Sequence, residues 1–283
     1  MRSKLFVPGS RPELFAKAMA SEADGLSFDL EDAVDEARKD EAREILGKFL
    51  RSLPAGHGKT IIVRVNGLAT RHFEKDVEAV TCDALDLVNL PKPESPEDVR
   101  ACAAALDRLD PEGAVGILAN IETPRAYRLA AEIASSSARV AGLQAGWGDL
   151  IEPLGIDRYN ASMIETCLLH IRIAAGEAGV WAYDGAYANF KDPEGYKREA
   201  EASRRLGYLG KSCIHPTQVP LANAAFRPTD AEIAHSLQVV DAAKQMAAQG
   251  IGAFTVNGRM VDGPFIRRAE AIVALARKLE IIR

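Results

Sequence analysis

Carboxylates recur in this sequence at the ends of apolar runs, where a lone buried charge costs several kcal/mol, ~2 or more, unless it is solvated, paired or bound to a cation. Glu122 closes the run from Gly113 to Thr123, just before Pro124; Asp149 follows the next run; Asp29 and Glu31 close an earlier one, with Asp32 beside them. Three or more acids near one axis cannot all stay ionised without a compensating charge, and a divalent cation is an economical one. Glu122 and Asp149 form the candidate ligand pair. With two protein carboxylates, water and substrate would complete the shell that Mg2+ prefers. Arg64 lies in the run from Thr60 to Asn66 and offers a planar fork for a carboxylate or a developing oxyanion. The competing reading is a structural ion network among Arg64, Asp29, Glu31 and Glu122. Lys92, after the fourth run, either pairs with an acid or meets substrate.

These residues need a frame that brings the ends of separate apolar runs together. Eight such runs, at about 4–8, 25–31, 60–66, 85–91, 113–122, 140–147, 180–187 and 207–214, alternate with helical patterns. That is the signature of an α/β chain folded as a (β/α)8 TIM barrel, whose active sites sit at the carboxyl ends of the strands. An open doubly wound sheet shares the alternation, and the count of eight favours the barrel. Strand alternation puts Gly25, Ser27, Asp29 and Glu31 on one face, Arg64 and Asn66 with Thr60 and Ile62, and Gly116, Leu118, Asn120 and Glu122 together. Past Pro216 the alternation stops. A helical pattern over 229–249, a hairpin over 254–261 turning at Asn257-Gly258, and a helix over 263–279 make residues 225–283 a C-terminal helical/hairpin extension of a catalytic barrel over 1–224.

A net charge of -5 with pI near 5.7 gives no footprint for nucleic acid or an anionic membrane. No apolar run reaches the ~18 residues of a membrane span. The four cysteines, Cys82, Cys102, Cys167 and Cys213, form no CxxC pair, so neither a zinc site nor a disulfide framework is indicated and a reducing, cytoplasmic setting is the default. The histidines are expected on surfaces, loops or helices, and Gly142, Gly146 and Gly148 do not make a dinucleotide fingerprint.

Six ordered motifs narrow the reading: Leu5 to Gly9, Asp29 to Asp32, Val63 to Asn66, Ile121 to Pro124, Gly148 to Leu150 and Gly210 to Gln218. Together they resemble the citrate lyase beta subunit-like (HpcH/HpaI aldolase/citrate lyase) family of aldolase barrels. The resemblance implies a Mg2+-dependent carbon-carbon lyase acting on a 3-hydroxyacyl thioester of coenzyme A or of an acyl carrier, like the citryl-, malyl- and citramalyl-CoA lyases. Acetyl thioester and a small keto acid or glyoxylate would be the products. Some relatives add thioesterase activity, and most are homotrimers or hexamers. Family metal ligands fall on Glu122 and Asp149, with Glu122 also at the substrate, and the substrate arginine falls on Arg64. Asp29, Glu31 and Asp32 would order Arg64 and the water around the ion. Phe6 and Lys17 match family coenzyme A contacts. The segment Val261 to Pro264 places the catalytic acid/base at Asp262, carried by the extension as a lid onto a neighbouring subunit. Asp32 stands where aldolases of free pyruvate have histidine, which disfavours that rival. A subunit active only in an acyl-carrier complex is the other alternative.

Overall fold

The computed structural model describes residues 1–283. Its strands are short and apolar on the side that meets the helices: β1 (Ser3–Pro8), β2 (Gly25–Asp29), β3 (Thr60–Arg64), β4 (Leu87–Leu90), β5 (Gly116–Ile121), β6 (Val140–Ala145), β7 (Trp181–Tyr183) and β8 (Lys211–Cys213). All neighbouring pairs are parallel, in the order β7-β6-β5-β4-β3-β2-β1-β8. One bridge, Asp184 to Lys211, joins the two ends of the sheet and completes the (β/α)8 barrel.

The strand phases separate two layers. Leu26, Phe28, Val63, Ile117, Ala119 and Ile121 join one large apolar cluster with the surrounding helices. Within it Phe15, Phe28 and Phe49 meet with ring centres 4.9 to 5.6 Å apart. The opposite phase points into the barrel and carries the buried polar residues Lys4, Ser27, Asn89, Asn120 and Gln144 beside Ile62 and Leu118. Helix caps follow local sequence. Ser95, ahead of Pro96–Leu109, accepts from the Asp98 N–H, and Thr123, ahead of Pro124–Arg128, accepts from Ala126.

The expected runs overshoot most at the last two strands. Asp184 N–H still bonds the Gly210 carbonyl at 2.9 Å, but Gly185 and Gly207, the latter at φ 85°, turn the chain away and leave three-residue strands. His72 departs from its expected place. It is buried, with Arg43 3.0 Å from one ring nitrogen and Glu36 2.9 Å from the other, because the adjoining Arg43–Asp76 pair needs a polar cover.

The chain divides into two compact units, Met1–Phe226 and Arg227–Arg283. In the second, Asp230–Ala247 and Gly263–Lys278 are helices joined through the hairpin β9 (Phe254–Val256) and β10 (Arg259–Val261). Val239, Val256, Val261 and Ala269 form its core, and Thr229 and Glu232 make a capping box. No helix is long and apolar enough to cross a membrane.

Candidate active site

At the carboxyl ends of the strands a cleft of about 450 Å3 opens, lined among others by Phe6, Asp29, Asp32, Arg64, Glu122 and Asp149. Arg64 ends β3, and register sets it beside Asp29 at the end of β2. Its Nε and Nη2 donate to the two Asp29 oxygens at 2.8 and 2.6 Å, a bidentate fork. Nη1 reaches Asp32 at 3.3 Å and lies 2.9 Å from Glu31 Oε2, close enough to pair as charges though not aligned as a hydrogen bond. The guanidinium also lies 5.3 Å from the Phe6 ring centre. Burial opposes its charge, yet Asp29 and the neighbouring acids hold its pKa above the ordinary value.

Glu122 follows β5 by one residue and is 3% exposed. Burial raises its pKa, with Arg64 and the Lys92 N–H pulling the other way. The Lys92 N–H donates to Oε1 at 2.9 Å and Asn120 Nδ2 to Oε2 at 3.3 Å. A Cβ built on Gly146 would stand 2.3 Å from Glu122 Cβ and 2.5 Å from Oε2, so only glycine leaves room for this carboxylate. Asp149 sits two residues into the short helix Trp147–Ile151 and is exposed. Trp147 is fixed from behind: its Nε1 donates to Asp184 Oδ1 at 3.0 Å, and Asp184 is held by Lys211 Nζ at 2.7 Å.

Lys92 answers the question the sequence leaves open, since its ammonium lies 3.2 Å from Asp149 and 3.6 Å from Glu31. Burial lowers its pKa, but Glu31 and Asp149 outweigh this and raise it. The residue adopts φ 48°, a left-handed backbone that turns both its N–H and its side chain toward the acids. No periodicity signals such a turn. Glu31 pairs with both cations, and burial pushes its carboxyl up to about 7 from the ordinary 4.5. An acid raised in this way holds a proton in the folded state after the unfolded chain has released it. Its stabilising contribution is present below about pH 4.5 and is lost as pH rises through about 7. Glu31→Gln, scanned in chelator, should therefore flatten the fall in Tm across that window; a slope equal to the parent's would assign the titration elsewhere.

Two expected residues of the barrel, Asn66 and Lys17, stand apart from this cluster, and a third expected residue lies in the other unit. Asn66, in phase with Arg64, instead donates to Asp76 and the Leu30 carbonyl, because the strand ends at Arg64 and the chain bends away. Lys17 is exposed on the helix Phe15–Met19 and does not line the cleft. Asp262 belongs to the second unit, where it precedes the helix Gly263–Lys278 without capping it; its Oδ1 is buried with no hydrogen-bond partner. No three His, Cys, Asp or Glu side chains gather as a closed metal cage.

A parallel barrel with acids and a forked arginine around one mouth is the framework of a (β/α)8 enzyme. Residues 2–216 match the model of the HpcH/HpaI aldolase/citrate lyase family, and the chain belongs to that family. It is 37% identical to the citrate lyase subunit beta of Escherichia coli K12 over 284 residues, 97% of this chain and 93% of that protein. It is 35% identical to a (3S)-malyl-CoA thioesterase of Cereibacter sphaeroides over 288 residues, covering 100% of this chain and 96% of the relative. Among solved structures, CitE of Mycobacterium tuberculosis in complex with magnesium, acetoacetate and coenzyme A superposes with a TM-score of 0.78 at 33% identity, covering 98% of this chain and 100% of that one.

Proposed function

We propose that the protein is a Mg2+-dependent carbon-carbon lyase that cleaves a 3-hydroxyacyl thioester of the citryl-, malyl- or citramalyl-CoA type. The observation that carries this reading is the Arg64 fork, held by Asp29 beside the buried Glu122 in a single cleft with Asp149. Complexes of CitE with magnesium and coenzyme A support it.

The residues fit the ion. Glu122 is a desolvated carboxylate whose pKa stays raised despite Arg64 and the Lys92 N–H, Gly146 leaves space at its oxygen, and Asp149 is exposed in the lining of the same cleft. Glu122 and Asp149 would hold Mg2+, whose chemistry is to polarise the hydroxyl and carboxylate oxygens of the acyl group. Arg64 would donate to the carbinol oxygen as it releases its proton to solvent water and becomes a carbonyl. The bond between the carbinol carbon and the methylene next to the thioester then breaks, its electron pair going to the methylene carbon. Asp262 would give that carbon a proton, or remove one in the condensation direction. Asp262 as a residue is only half-buried in its own chain, which leaves it open to meet a neighbouring copy in a trimer or hexamer. Asp29, Glu31 and Asp32 would hold the guanidinium in place over Phe6, and Phe6 and Lys17 remain the candidate coenzyme A contacts.

The test is to incubate the protein with Mg2+ and malyl-, citramalyl- or citryl-CoA while following acetyl-CoA, free CoA and keto acid together. Acetyl-CoA in step with keto acid, abolished by EDTA, is the expected result; free CoA without keto acid would replace the lyase reading with a thioesterase. Asp262→Ala should also stop deuterium exchange at the acetyl methyl group of acetyl-CoA, and exchange at the parental rate would remove Asp262 from the chemistry. A second reading, a subunit working on a carrier-bound acyl group, is favoured by the likeness to citrate lyase beta subunits. Co-purification of an acyl carrier protein would support it.

A further inference from the structure

Beneath the carboxylates the barrel has a second polar level. Asn120 on β5 and Gln144 on β6 are register partners, both lining the cleft two residues, about 6 to 7 Å, below the level of Glu122 and Gly146. Asn120 is already used: its Nδ2 donates to Glu122 and its Oδ1 accepts from Asn89. Gln144 is only 4% exposed, and its Oε1 is taken by the Lys4 ammonium, which reaches it from β1. The amide nitrogen is thereby turned to the cleft, where it has no protein acceptor. The donor is thus open to the cleft, where a water molecule or a ligand oxygen meets it, and a ligand group that displaces the water without replacing its oxygen leaves the donor unpaired.

Lys4 itself is fully buried between the Phe6 ring, 4.5 Å from its centre, and that of Tyr183, at 5.7 Å. Burial drives its pKa well below the ordinary value, and no buried carboxylate bonds to it. Its one hydrogen bond is to Gln144, so its effect on a ligand passes through that amide.

Resting on the lyase reading above, we propose that Gln144 is a specificity-determining residue, oriented by Lys4, that selects acyl groups carrying an oxygen-bearing arm on the carbinol carbon, carboxymethyl rather than methyl. A methyl group there would close over the Gln144 amide and leave its donors unpaired. Sites built to hydrogen-bond a ligand reject the analogue that lacks the group far more strongly than apolar pockets reject an added one.

Two measurements test this on the full chain with Mg2+ present: kcat/KM for citryl-CoA against citramalyl-CoA, and calorimetric binding of oxaloacetate against pyruvate. The parent should favour the carboxymethyl member of each pair by about tenfold or more. Gln144→Glu keeps a partner for Lys4 but replaces the donors with acceptors, and should collapse both ratios. Gln144→Leu combined with Lys4→Met removes both polar partners together, so that neither leaves the other unpaired, and should do the same. A parent that cleaves citramalyl-CoA faster and prefers pyruvate would overturn the assignment of Gln144 while leaving the lyase intact. Ratios unmoved in both variants would overturn it equally. Failure to cleave either thioester, with oxaloacetate still preferred and that preference lost in the variants, would sink the lyase reading but not the role of Gln144.

Discussion

Glu122→Gln should abolish Mg2+-dependent turnover, by about 10²- to 10³-fold or more, the scale on which loss of a principal charge-organising group is felt. Glutamine has nearly the same shape, and its oxygen can still accept from the Lys92 N–H, so the β5 terminus has no reason to move. What disappears is the negative charge. Its pKa is raised by burial, so Glu122 weakens the folded state as pH climbs, and the amide removes that cost. It also turns a donor toward Asn120 Nδ2 and loses one weak hydrogen bond, worth about 1 kcal/mol. The two effects oppose each other, and the variant should melt near the parent. Calorimetric titration with Mg2+ checks the point: parental affinity together with parental turnover would detach Glu122 from the ion.

Arg64→Met should damage both activity and stability. The fork that receives the carbinol oxygen is gone, and kcat/KM should fall about 10²-fold or more. Asp29 meanwhile stays buried, having lost two charge-assisted hydrogen bonds and keeping only those from the backbone of Glu31 and Ala33. Breaking a buried pair from one side costs about 3 to 5 kcal/mol, readable as a lower urea midpoint. Adding Asp29→Asn should restore much of the stability and none of the rate. Recovery of both would mean that Arg64 is only a structural partner of Asp29. Arg64→Lys makes a finer probe, since a lysine keeps the charge without the planar fork; parental kcat/KM in that variant would show that the fork is not used.

How much of this was legible follows from what kind of signal each residue leaves. Period-two alternation placed Arg64, Asp29, Asn120 and Glu122 on the barrel's inner face, and the parallel register then brought Asp29 next to Arg64. The same alternation misjudged Asn66, because it says nothing about where a strand stops. Lys92 was visible as a residue but not as a geometry, since its left-handed backbone depends on the loop closing over Glu122. Lys4 and Gln144 went unread. The phase rule does set Lys4 with Phe6 and Pro8, but a lysine in a first strand is ordinarily solvated, and its partner lies 140 residues away. The Arg158–Glu199–Lys211–Asp184 chain behind Trp147 is likewise a product of tertiary folding, assembled from four separate segments.

The seam between β7 and β8 gives the barrel a clasp. Elsewhere neighbouring strands share ladders of three to five register pairs, whereas here there is one bridge, flanked by backbone hydrogen bonds from Leu209 to Ala182, Asp184 to Gly210 and Ser212 to Asp184, and Lys211 clamps Asp184, the Gly185 carbonyl and Glu199. This seam adjoins Gly185 and Trp147, on the flank of the cleft that carries Asp149. That flank of the mouth is thus tied by buried side chains as well as by backbone, while on the wall of β2 to β5 continuous ladders carry the arginine and the strand that leads to the buried acid.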